Sequence, residues 1–312
     1  MPKVPKSIER LASWRAGPTR DAIVDFLDGS DDVDPSERVA YVDNDGTMWC
    51  ERPNYVQFDF FVDALRRRSR DDPEVAKRRE FAAVLDGDSA AIGELGLTRV
   101  AVALASLFDR RTPGEFGSDV DAFMSQYRHP TLGVGLGGIV YQPMLELLAA
   151  LRDHDFTIGI VTGGGTEFVR RIAPGLYGVP PELVVGTLIG YEFSRDPQDH
   201  PCLLRTVTRL GEANEGEPKV ANIQSQLGRA PILAVGNSAG DREMLEWASA
   251  GGGDNSGLAL LIDHDDADRE FAYAGSAATF ADVEPITEVA ERLGWVTVSM
   301  RNDWSTVFAE PD

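Results

Sequence analysis

Short apolar runs alternate with stretches of helical period along most of the chain. Val39–Val42 is an apolar run that ends at the polar turn 43–47, and this pattern predicts a buried strand. Similar runs at 156–161 and 231–235 each lead through a glycine-containing turn into a helical pattern. Strands that alternate with helices predict a parallel sheet that is covered on both faces. We therefore expect an α/β fold with a doubly wound parallel sheet.

A long block of helical pattern interrupts this alternation. From Phe58 to Leu65 the apolar side chains recur at i, i+3, i+4 and i+7, which is the spacing of one helix face. We therefore predict a core made of residues 1–52 and 141–312, with a helical lobe of residues 53–140 inserted into it. The remaining apolar runs predict a β-ribbon and two short strands, at 183–193 with 203–207, at 258–262 and at 295–300.

The composition is that of a globular and strongly acidic protein. Of 312 residues, 43% are hydrophobic, and the formal net charge is −21. This charge argues against nucleic acid or an anionic membrane surface as a partner. No apolar stretch approaches the ~20 residues that span a bilayer, and the start of the chain lacks the pattern of a secretory signal. Because Cys50 and Cys202 are too few for a disulfide framework, we predict a cytoplasmic protein.

Such a charge repels anions, so any phosphate chemistry would need local positive charge. A metal ion, a lysine or the N-terminus of a helix can supply it. Lysine occurs at only four positions, and one of them, Lys219, lies at the predicted start of a helix. Taken alone, a single lysine is more often a solvated surface residue.

Polar clusters follow three of the predicted strands, at 43–47, 162–165 and 236–241. The carboxyl ends of parallel strands meet at one edge of a sheet, so we expect these clusters to surround one crevice. Asp43 and Asp45 lie two residues apart, and a metal ion would neutralise one while the other keeps a proton. The structural alternative is a strand-ending turn whose carboxylates cap a helix.

The other two clusters also suit an anion and a cation. Thr162 precedes three glycines and a helix, and such a turn lets backbone N–H groups approach an anion. Asn237 and Asp241 offer hard oxygen ligands that suit Mg²⁺. The structural alternatives are a tight strand-to-helix turn for the first cluster and a loop with a helix cap for the second.

Taken in order, these stretches resemble the four motifs of the haloacid dehalogenase superfamily, nearest to its phosphoserine-phosphatase-like branch. The order and spacing of the motifs are far more specific than any one of them. The matching segments are 41–47, 160–164, Lys219 ahead of Ile223, and 236–244.

The resemblance implies a Rossmann-like core, a helical cap inserted between the first and second motifs, and the activity of a phosphoric monoester hydrolase. By similarity, Asp43 would attack phosphorus and form an aspartyl-phosphate. Asp45 would be the general acid and then the general base. Thr162 and Lys219 would complete the catalytic set by binding the phosphoryl group and offsetting its charge.

The resemblance also implies a cofactor and its ligands. Mg²⁺ would be held by Asp43, Asp45, Asn237 and Asp241. The family pattern has an acidic residue where this chain has Asn237, and an amide oxygen can bind Mg²⁺ but carries no charge. We therefore expect weak dependence on Mg²⁺. The residues expected to bind phosphate are Gly46, Thr47, Gly163 and Gly164.

The expected ligand is a small-molecule phosphomonoester. Trp49, Glu51, Arg52 and Tyr55 follow the first motif and are predicted to face the leaving group from the cap side. Glu51 would be unfavourable near an anionic substrate unless it pairs with Arg52 or meets a positive group on the ligand. Aromatic faces beside a carboxylate suit an ammonium ion. We therefore expect an amine-bearing ester such as phosphoserine, phosphoethanolamine or phosphocholine. The alternative is that these aromatic residues pack the cap onto the core.

Other interpretations use the same residues. A phosphotransferase or mutase would have the same site, and Asn237 is the one hint of a catalytically weakened phosphate-ester-binding protein. Halide removal needs neither a metal nor the acid Asp45, and phosphonate cleavage would need a cap lysine, for which Lys77 is the sole candidate. His264, among acidic neighbours, is expected at a helix N-terminus. The sequence predicts no oligomeric state.

Overall fold

The computed structural model describes residues 10–251, 257–276 and 284–310. Its contacts divide the chain into two compact units. The first unit comprises Met1–Arg52, Arg128–Thr187 and Glu212–Asp312, and the second comprises Pro53–Tyr127 and Leu188–Gly211.

The first unit is built on a mainly parallel sheet. The strands are β1 (Val39–Val42), β2 (Thr157–Gly165), β3 (Val184–Arg195, which runs on into the second unit), β5 (Leu233–Gly236), β6 (Leu258–Asp265), β7 (Ala272–Tyr273) and β8 (Val296–Ser299). The central strands follow the order β3, β2, β1, β5, β6, and β1 pairs in parallel with both β2 and β5. Beside β6 lie a parallel strand, β8, and a short antiparallel one, β7.

Helices cover this sheet and connect its strands. The helix after β2 begins directly at the end of its strand, and the helix before β2 has proline in its first turn, where the missing N–H costs no hydrogen bond. The α/β fold class is therefore confirmed. The helices are α1 (Pro18–Ser30), α7 (Gln142–Asp153), α8 (Thr166–Tyr177), α9 (Glu217–Gln226), α10 (Arg242–Ala250), α11 (Ile286–Leu293) and α12 (Met300–Asp303).

Apolar burial explains why these strands form where the sequence places them. All four residues of β1 are buried, and so are all four of β5. A strand that is buried on both faces reads as a continuous apolar run, which is the pattern of a parallel sheet covered by helices. The predicted strands at these positions are confirmed, within the one or two residues by which strand ends usually differ.

The second unit is mostly helical. Its helices are α2 (Val56–Asp71), α3 (Arg79–Asp86), α4 (Ser89–Leu95), α5 (Leu97–Ala105) and α6 (Pro113–Gln126). The unit also contains an antiparallel ribbon, in which β3 pairs with β4 (Pro201–Leu210), so the predicted ribbon is confirmed. The predicted cap covered 53–140. The second unit takes in 188–211 as well, and residues 128–140 fall in the first unit.

Among the described residues, no individual helix has both the length and the apolarity to cross a bilayer. Two segments of the second unit, Ser89–Leu95 and Leu97–Phe108, reach the required length and composition only as a pair bent by 94°.

Candidate active site

Three strand ends of the first unit meet at the site. In the register of the sheet, Ala40 of β1 lies opposite Ile158 of β2 on one side and Leu233 of β5 on the other. The backbone N–H of Asp43 then donates to the carbonyl of Val235 at 2.9 Å, just past the end of the paired region. The order of the strands changes direction at β1, and such a switch point is where open α/β sheets bind their ligands.

A buried lysine joins two of these strand ends. Lys219 lies in the first turn of α9, and its side chain is 2% exposed. Its ammonium group donates to Asp43 Oδ1 at 2.8 Å and also to Asp241 Oδ1. Burial acts to lower the pKa of Lys219, but the two carboxylates outweigh it and raise the pKa above its usual value. The ammonium charge is therefore retained, and the structure excludes a solvated surface lysine.

Asp43 is the carboxylate at the centre of this arrangement. Burial and the neighbouring charge of Asp241 raise its pKa, and the ammonium group of Lys219 opposes that shift. Its second oxygen, Oδ2, lies 3.4 Å from the hydroxyl of Thr47. Asp43 therefore has one oxygen paired with a lysine and a second one directed towards a different set of polar groups.

Asp45 has surroundings of another kind. Its Oδ1 accepts a hydrogen bond from the Trp49 indole at 2.9 Å, and its Oδ2 accepts from Asn44 at 3.3 Å and from the Thr162 hydroxyl at 3.4 Å. Burial raises the pKa of Asp45, and these three donors counteract the rise only in part. A carboxyl group whose pKa is raised is suited to carry a proton to a leaving group.

Gly46 gives the loop its shape. Its φ is +73°, and a Cβ at this position would lie 2.0 Å from the amide nitrogen of Asn237. The left-handed backbone and the close approach both require glycine. The next residue, Thr47, places its hydroxyl 3.4 Å from Asp43 Oδ2 and 3.4 Å from Asn237 Oδ1, so both oxygens lie close to this hydroxyl.

Asp241 organises the loop that follows β5. Its Oδ2 accepts three hydrogen bonds, from the backbone N–H of Asn237 at 3.1 Å and from the N–H and hydroxyl of Ser238 at 3.0 and 3.2 Å. Its Oδ1 accepts from Lys219. Asp241 therefore caps its loop, as the structural alternative predicted, and also brings a carboxylate charge to Lys219.

The second motif forms a turn at the end of β2. The Thr162 hydroxyl accepts from the N–H of Gly164 at 2.9 Å while it also donates to Asp45. Gly163 lies against Glu215, and a Cβ there would lie 2.8 Å from Glu215 Oε1, so the Glu215 side chain would have to shift. The Gly163 carbonyl accepts from the hydroxyl of Thr187 at 2.8 Å.

The residues predicted to face the leaving group are found in different settings. Trp49 is fully buried and directs its indole N–H at Asp45. Glu51 is 7% exposed and accepts from the Asn237 amide at 3.4 Å, and burial and the charge of Asp45 raise its pKa. The Arg52 guanidinium lies 4.3 Å from the centre of the Tyr273 ring. The fourth residue, Tyr55, belongs to the second unit and is exposed.

His264 is not at a helix N-terminus, so that prediction was wrong. It lies in β6 and is 3% exposed, between the apolar run of that strand and its acidic end. Its Nε2 lies 2.8 Å from the carbonyl oxygen of Gly46, and its Nδ1 lies 3.2 Å from Glu270 Oε2. The acidic neighbours in the sequence suggested a cap, whereas the buried strand that precedes them decides the position.

Sequence reasoning also missed three side chains that hold the site together. Tyr177 donates to Asn44 Oδ1 at 3.0 Å, and Asn214 donates to the Thr162 carbonyl at 2.8 Å. Asn222 in turn donates to Asn214 Oδ1 at 2.9 Å. No motif spacing signals Tyr177 or Asn214, because each acts through a contact between distant segments, and Asn222 acts only through Asn214.

Comparison with known protein families agrees with this geometry. Residues 40–246 match the family model of the haloacid dehalogenase-like hydrolases, and this range includes all four motifs. The chain belongs to the haloacid dehalogenase-like hydrolase family. The match confirms the family that the motifs predicted and identifies the chain as one of these hydrolases.

Two solved structures with TM-scores above 0.5 show the same fold at low sequence identity. The chain resembles a protein of unknown function from Bordetella pertussis Tohama I with 18% identity, a TM-score of 0.53 and coverage of 84% of this chain and 98% of that one. It resembles a functionally unknown protein from Anaerococcus prevotii DSM 20548 with 15% identity, a TM-score of 0.56 and coverage of 91% of each. A phosphoserine phosphohydrolase-like protein from Francisella tularensis subsp. tularensis SCHU S4 aligns over 82% of this chain and 99% of its own, with 15% identity and a TM-score of 0.37. No curated protein gives a significant sequence match.

The oxygen atoms of the predicted metal ligands in this haloacid dehalogenase-like hydrolase suit a hard divalent cation. Among the residues that the structure describes, no cluster of three or more His, Cys, Asp or Glu side chains could hold a metal ion. The predicted set instead combines carboxylate, amide and backbone carbonyl oxygens, and Asp43 Oδ2 and Asn237 Oδ1 converge on Thr47. Oxygen ligands of this kind are those that Mg²⁺ prefers, so the donor set fits the ion.

Proposed function

We propose that the chain is a Mg²⁺-dependent phosphomonoester hydrolase that works through an aspartyl-phosphate on Asp43. The observation that carries the proposal is the buried contact of Lys219 with Asp43 and Asp241 at the strand ends. It places a carboxylate and a permanent positive charge together in an otherwise acidic protein. That arrangement suits an attack on a phosphate dianion, since the ammonium group offsets the charge of both partners.

The first half-reaction uses Asp43 and Asp45. A carboxylate oxygen of Asp43 forms a bond to phosphorus while the bond from phosphorus to the ester oxygen breaks. Asp45 gives its proton to the departing oxygen, which leaves as an alcohol. Burial raises the pKa of both carboxyl groups, but the ammonium group of Lys219 pairs with Asp43 and leaves Asp45 as the group suited to carry the proton. The contacts from Trp49 and Thr162 hold the Asp45 carboxyl group in place.

The second half-reaction reverses the role of Asp45. Now ionised, its carboxylate takes a proton from a water molecule, whose oxygen attacks the phosphorus of the aspartyl-phosphate. The bond between phosphorus and the Asp43 oxygen breaks, so inorganic phosphate and the Asp43 carboxylate are released. The Thr162 hydroxyl and the Gly163 N–H are proposed to bind the phosphoryl oxygens throughout. The N–H groups of Gly46, Thr47 and Gly164, which the sequence also predicted as phosphate ligands, donate within the protein, so they are proposed to shape the loops around the phosphoryl group.

Asp43, the Asp45 backbone carbonyl and Asn237 are the proposed ligands of Mg²⁺. When bound, the ion would supply positive charge to the transferring phosphoryl group. Asp241 is the fourth predicted ligand, and its contacts support a further role. Because its oxygens already accept from Lys219 and from the loop of Asn237, Asp241 orients both the lysine and the ligand loop.

A small phosphomonoester that bears an amine is the proposed substrate. Glu51 supports this choice because it is a buried carboxylate in contact with Asn237, a proposed metal ligand. Burial and the charge of Asp45 raise the pKa of Glu51, and Tyr273, His264 and Arg52 offset this rise only in part. A buried carboxylate beside a phosphate site is unfavourable unless positive charge compensates it, and an ammonium group on the leaving alcohol would supply more of that charge.

The nucleophile can be tested directly. Asp43→Asn should lower kcat with an aryl phosphate and Mg²⁺ by several orders of magnitude, on the scale of ~10⁴–10⁶ seen when a nucleophile is removed. Asp45→Asn should slow both half-reactions and still bind Mg²⁺, because the backbone carbonyl remains. Mass spectrometry after trapping with a phosphoryl analogue should find the adduct on Asp43.

Three results would refute the proposal: a wild type with no turnover, an adduct on another residue, or full activity in Asp43→Asn. The first of these would favour a phosphate-ester-binding protein. Transfer to an added alcohol in place of water would favour a phosphotransferase.

A further inference from the structure

A buried chain of polar side chains leads away from the nucleophile loop at Gly46. His264 contacts the Gly46 carbonyl and Glu270, as described above. Glu270 also accepts from the Tyr141 hydroxyl at 2.8 Å and from the backbone N–H of Phe271 at 2.6 Å. The ring of Tyr273 stacks on His264 with the ring centres 4.2 Å apart. The side chains of both His264 and Glu270 are at most 1% exposed.

The partners of His264 fix the orientation of its ring. The Gly46 carbonyl can only accept, so the hydrogen bond at Nε2 requires a hydrogen on that nitrogen. Glu270 holds the other ring nitrogen, and its carboxyl group is itself held by Tyr141 and Phe271. Burial would raise the pKa of Glu270, but its contacts with His264 bring the pKa below the usual value. The ring is therefore fixed at both nitrogens, with Nε2 directed at the Gly46 carbonyl.

His264 contacts the carbonyl oxygen of Gly46, the residue that follows the proposed general acid Asp45. The Gly46 carbonyl follows directly on Asp45, and the Gly46 N–H is bound by the Trp49 carbonyl at 2.9 Å. Both polar groups of the Gly46 backbone are thus fixed by hydrogen bonds, and the residue has a left-handed backbone conformation. Together these features restrict the path of the loop. A shift of this peptide would move the carboxyl group of Asp45, and small displacements of a reacting group cost much of the rate.

We infer that His264, oriented by Glu270, is a positioning residue that holds Asp45 in place as the general acid. This inference rests on the proposed phosphatase function. Its role is to hold the Gly46 peptide and not to exchange protons with the substrate. The effect of losing it therefore depends on how much the leaving group needs a proton from Asp45.

The test compares two classes of substrate in one variant. An alkyl phosphate releases a strongly basic alkoxide and needs the acid, whereas 4-nitrophenyl phosphate releases a stable aryloxide and hardly needs it. His264→Ala should lower kcat/KM for alkyl phosphates by roughly 10–100-fold, the usual range for residues that orient a functional group. The loss with 4-nitrophenyl phosphate should be about tenfold smaller or less. His264→Gln, whose amide can still donate to the Gly46 carbonyl, should recover part of the loss.

A second buried histidine provides the matched control. His129 is 1% exposed, its Nε2 lies 2.6 Å from the Arg52 carbonyl, and its Nδ1 accepts from the N–H of Leu132 at 3.0 Å. Like His264, His129 contacts a backbone carbonyl, but that carbonyl belongs to Arg52 and lies outside the segment from Asp43 to Thr47. His129→Ala should leave the ratio of the two kcat/KM values unchanged, even if it lowers the melting temperature.

A measurement on the wild type covers the case in which the variants do not fold. In protein labelled with ¹⁵N-histidine, His264 should show a slowly exchanging N–H signal at Nε2, the nitrogen that faces the Gly46 carbonyl. A His264 Nε2 without a hydrogen, or an equal loss for alkyl and aryl phosphates in a folded His264→Ala, would overturn the inference. An inactive wild type would refute the proposed function instead, and the two failures are therefore distinguishable.

Discussion

The contact between Asn237 and Glu51 limits which residue type can occupy position 237. The Asn237 amide donates to Glu51 Oε1 at 3.4 Å, and its oxygen faces the Thr47 hydroxyl at 3.4 Å. An aspartate at position 237 would put a second carboxylate against a buried glutamate whose pKa is already raised. Two carboxylates so close cannot both ionise without a cation. The neutral amide is therefore the form that suits Glu51.

This contact predicts how Mg²⁺ dependence responds to charge. Asn237→Asp adds one negative ligand, but Glu51 opposes its ionisation. The double variant Asn237→Asp with Glu51→Gln removes that opposition, and it should lower the Mg²⁺ concentration for half-maximal activity by roughly tenfold, since affinity follows the charge of the ligands. Asn237→Asp alone should gain less. Titration of activity with Mg²⁺ measures both, and equal requirements in all variants would mean that Asn237 does not touch the metal.

Glu51 also carries the prediction about the substrate. Glu51→Gln should cost amine-bearing phosphates about 1.5–3 kcal/mol in kcat/KM, the range for hydrogen bonds to charged groups, and spare sugar phosphates. The comparison uses phosphoserine and phosphoethanolamine against hexose phosphates in the wild type and the variant. Parallel losses in the two classes, or no change, would assign Glu51 to the structure of the loop alone.

At the scale of single elements, the sequence predicted most strands because buried strands of a parallel sheet appear in it as continuous apolar runs. β1 and β5 were recognised in this way, and so was the ribbon of β3 and β4. The misplacement of His264 has the same origin. β6 runs on through two acidic residues to Asp265, where its last residues pair with β7, and a polar run gives no signal of a strand. Contacts between distant segments, such as Glu270 with Tyr141, leave no local pattern at all.

Helix α3 contains a carboxylate whose charge stabilises the fold. Glu80 accepts from Arg99 at 2.6 Å and from Arg78 at 3.1 Å, although its own side chain is 5% exposed. Its own backbone N–H and these two arginines lower its pKa to about 2. Because the pKa is lower in the folded state, the stabilisation is complete above the unfolded value of 4.5 and is lost as the pH falls towards about 2.

Glu80→Gln should therefore lower the melting temperature at neutral pH, and the difference from the wild type should shrink as the pH falls below 4.5. Thermal unfolding over a range of pH values measures this. Glu192→Gln is a control, because that residue pairs with Arg110 while more than half of its side chain is exposed. A difference for Glu80→Gln that stays constant with pH would show that packing, and not charge, is lost.

At the scale of the whole molecule, each unit has a core of its own. The second unit centres on Phe60, whose ring stacks on Phe108 with the centres 5.0 Å apart and meets the edges of Phe116 and Phe123. The sequence predicted a helical lobe here from the pattern of α2. It could not show that 188–211 joins the same unit, because that contact lies far along the chain.

Phe60→Ala should destabilise the second unit by about 3–5 kcal/mol, the usual cost of emptying a core aromatic site. Hydrogen exchange should then accelerate in α2 and α6 while β1 and β5 keep their protection. Phe26→Ala is the control in the first unit, where a half-buried ring packs on Phe156. Equal acceleration in both units after Phe60→Ala would mean that they unfold together.

The contacts of the nucleophile also bear on how the protein acquires its activity during synthesis. Lys219 lies 176 positions after Asp43, and Asn237 lies 190 positions after Thr47. Contacts between such distant positions form late and slow the folding of a chain. A nascent chain that ends before α9 has Asp43 at the end of an unpaired β1 edge, with neither its counter-ion nor the loop after β5. Hydrolytic activity should therefore emerge only after β5 has left the ribosome, and arrested chains of increasing length would show it as a single late step.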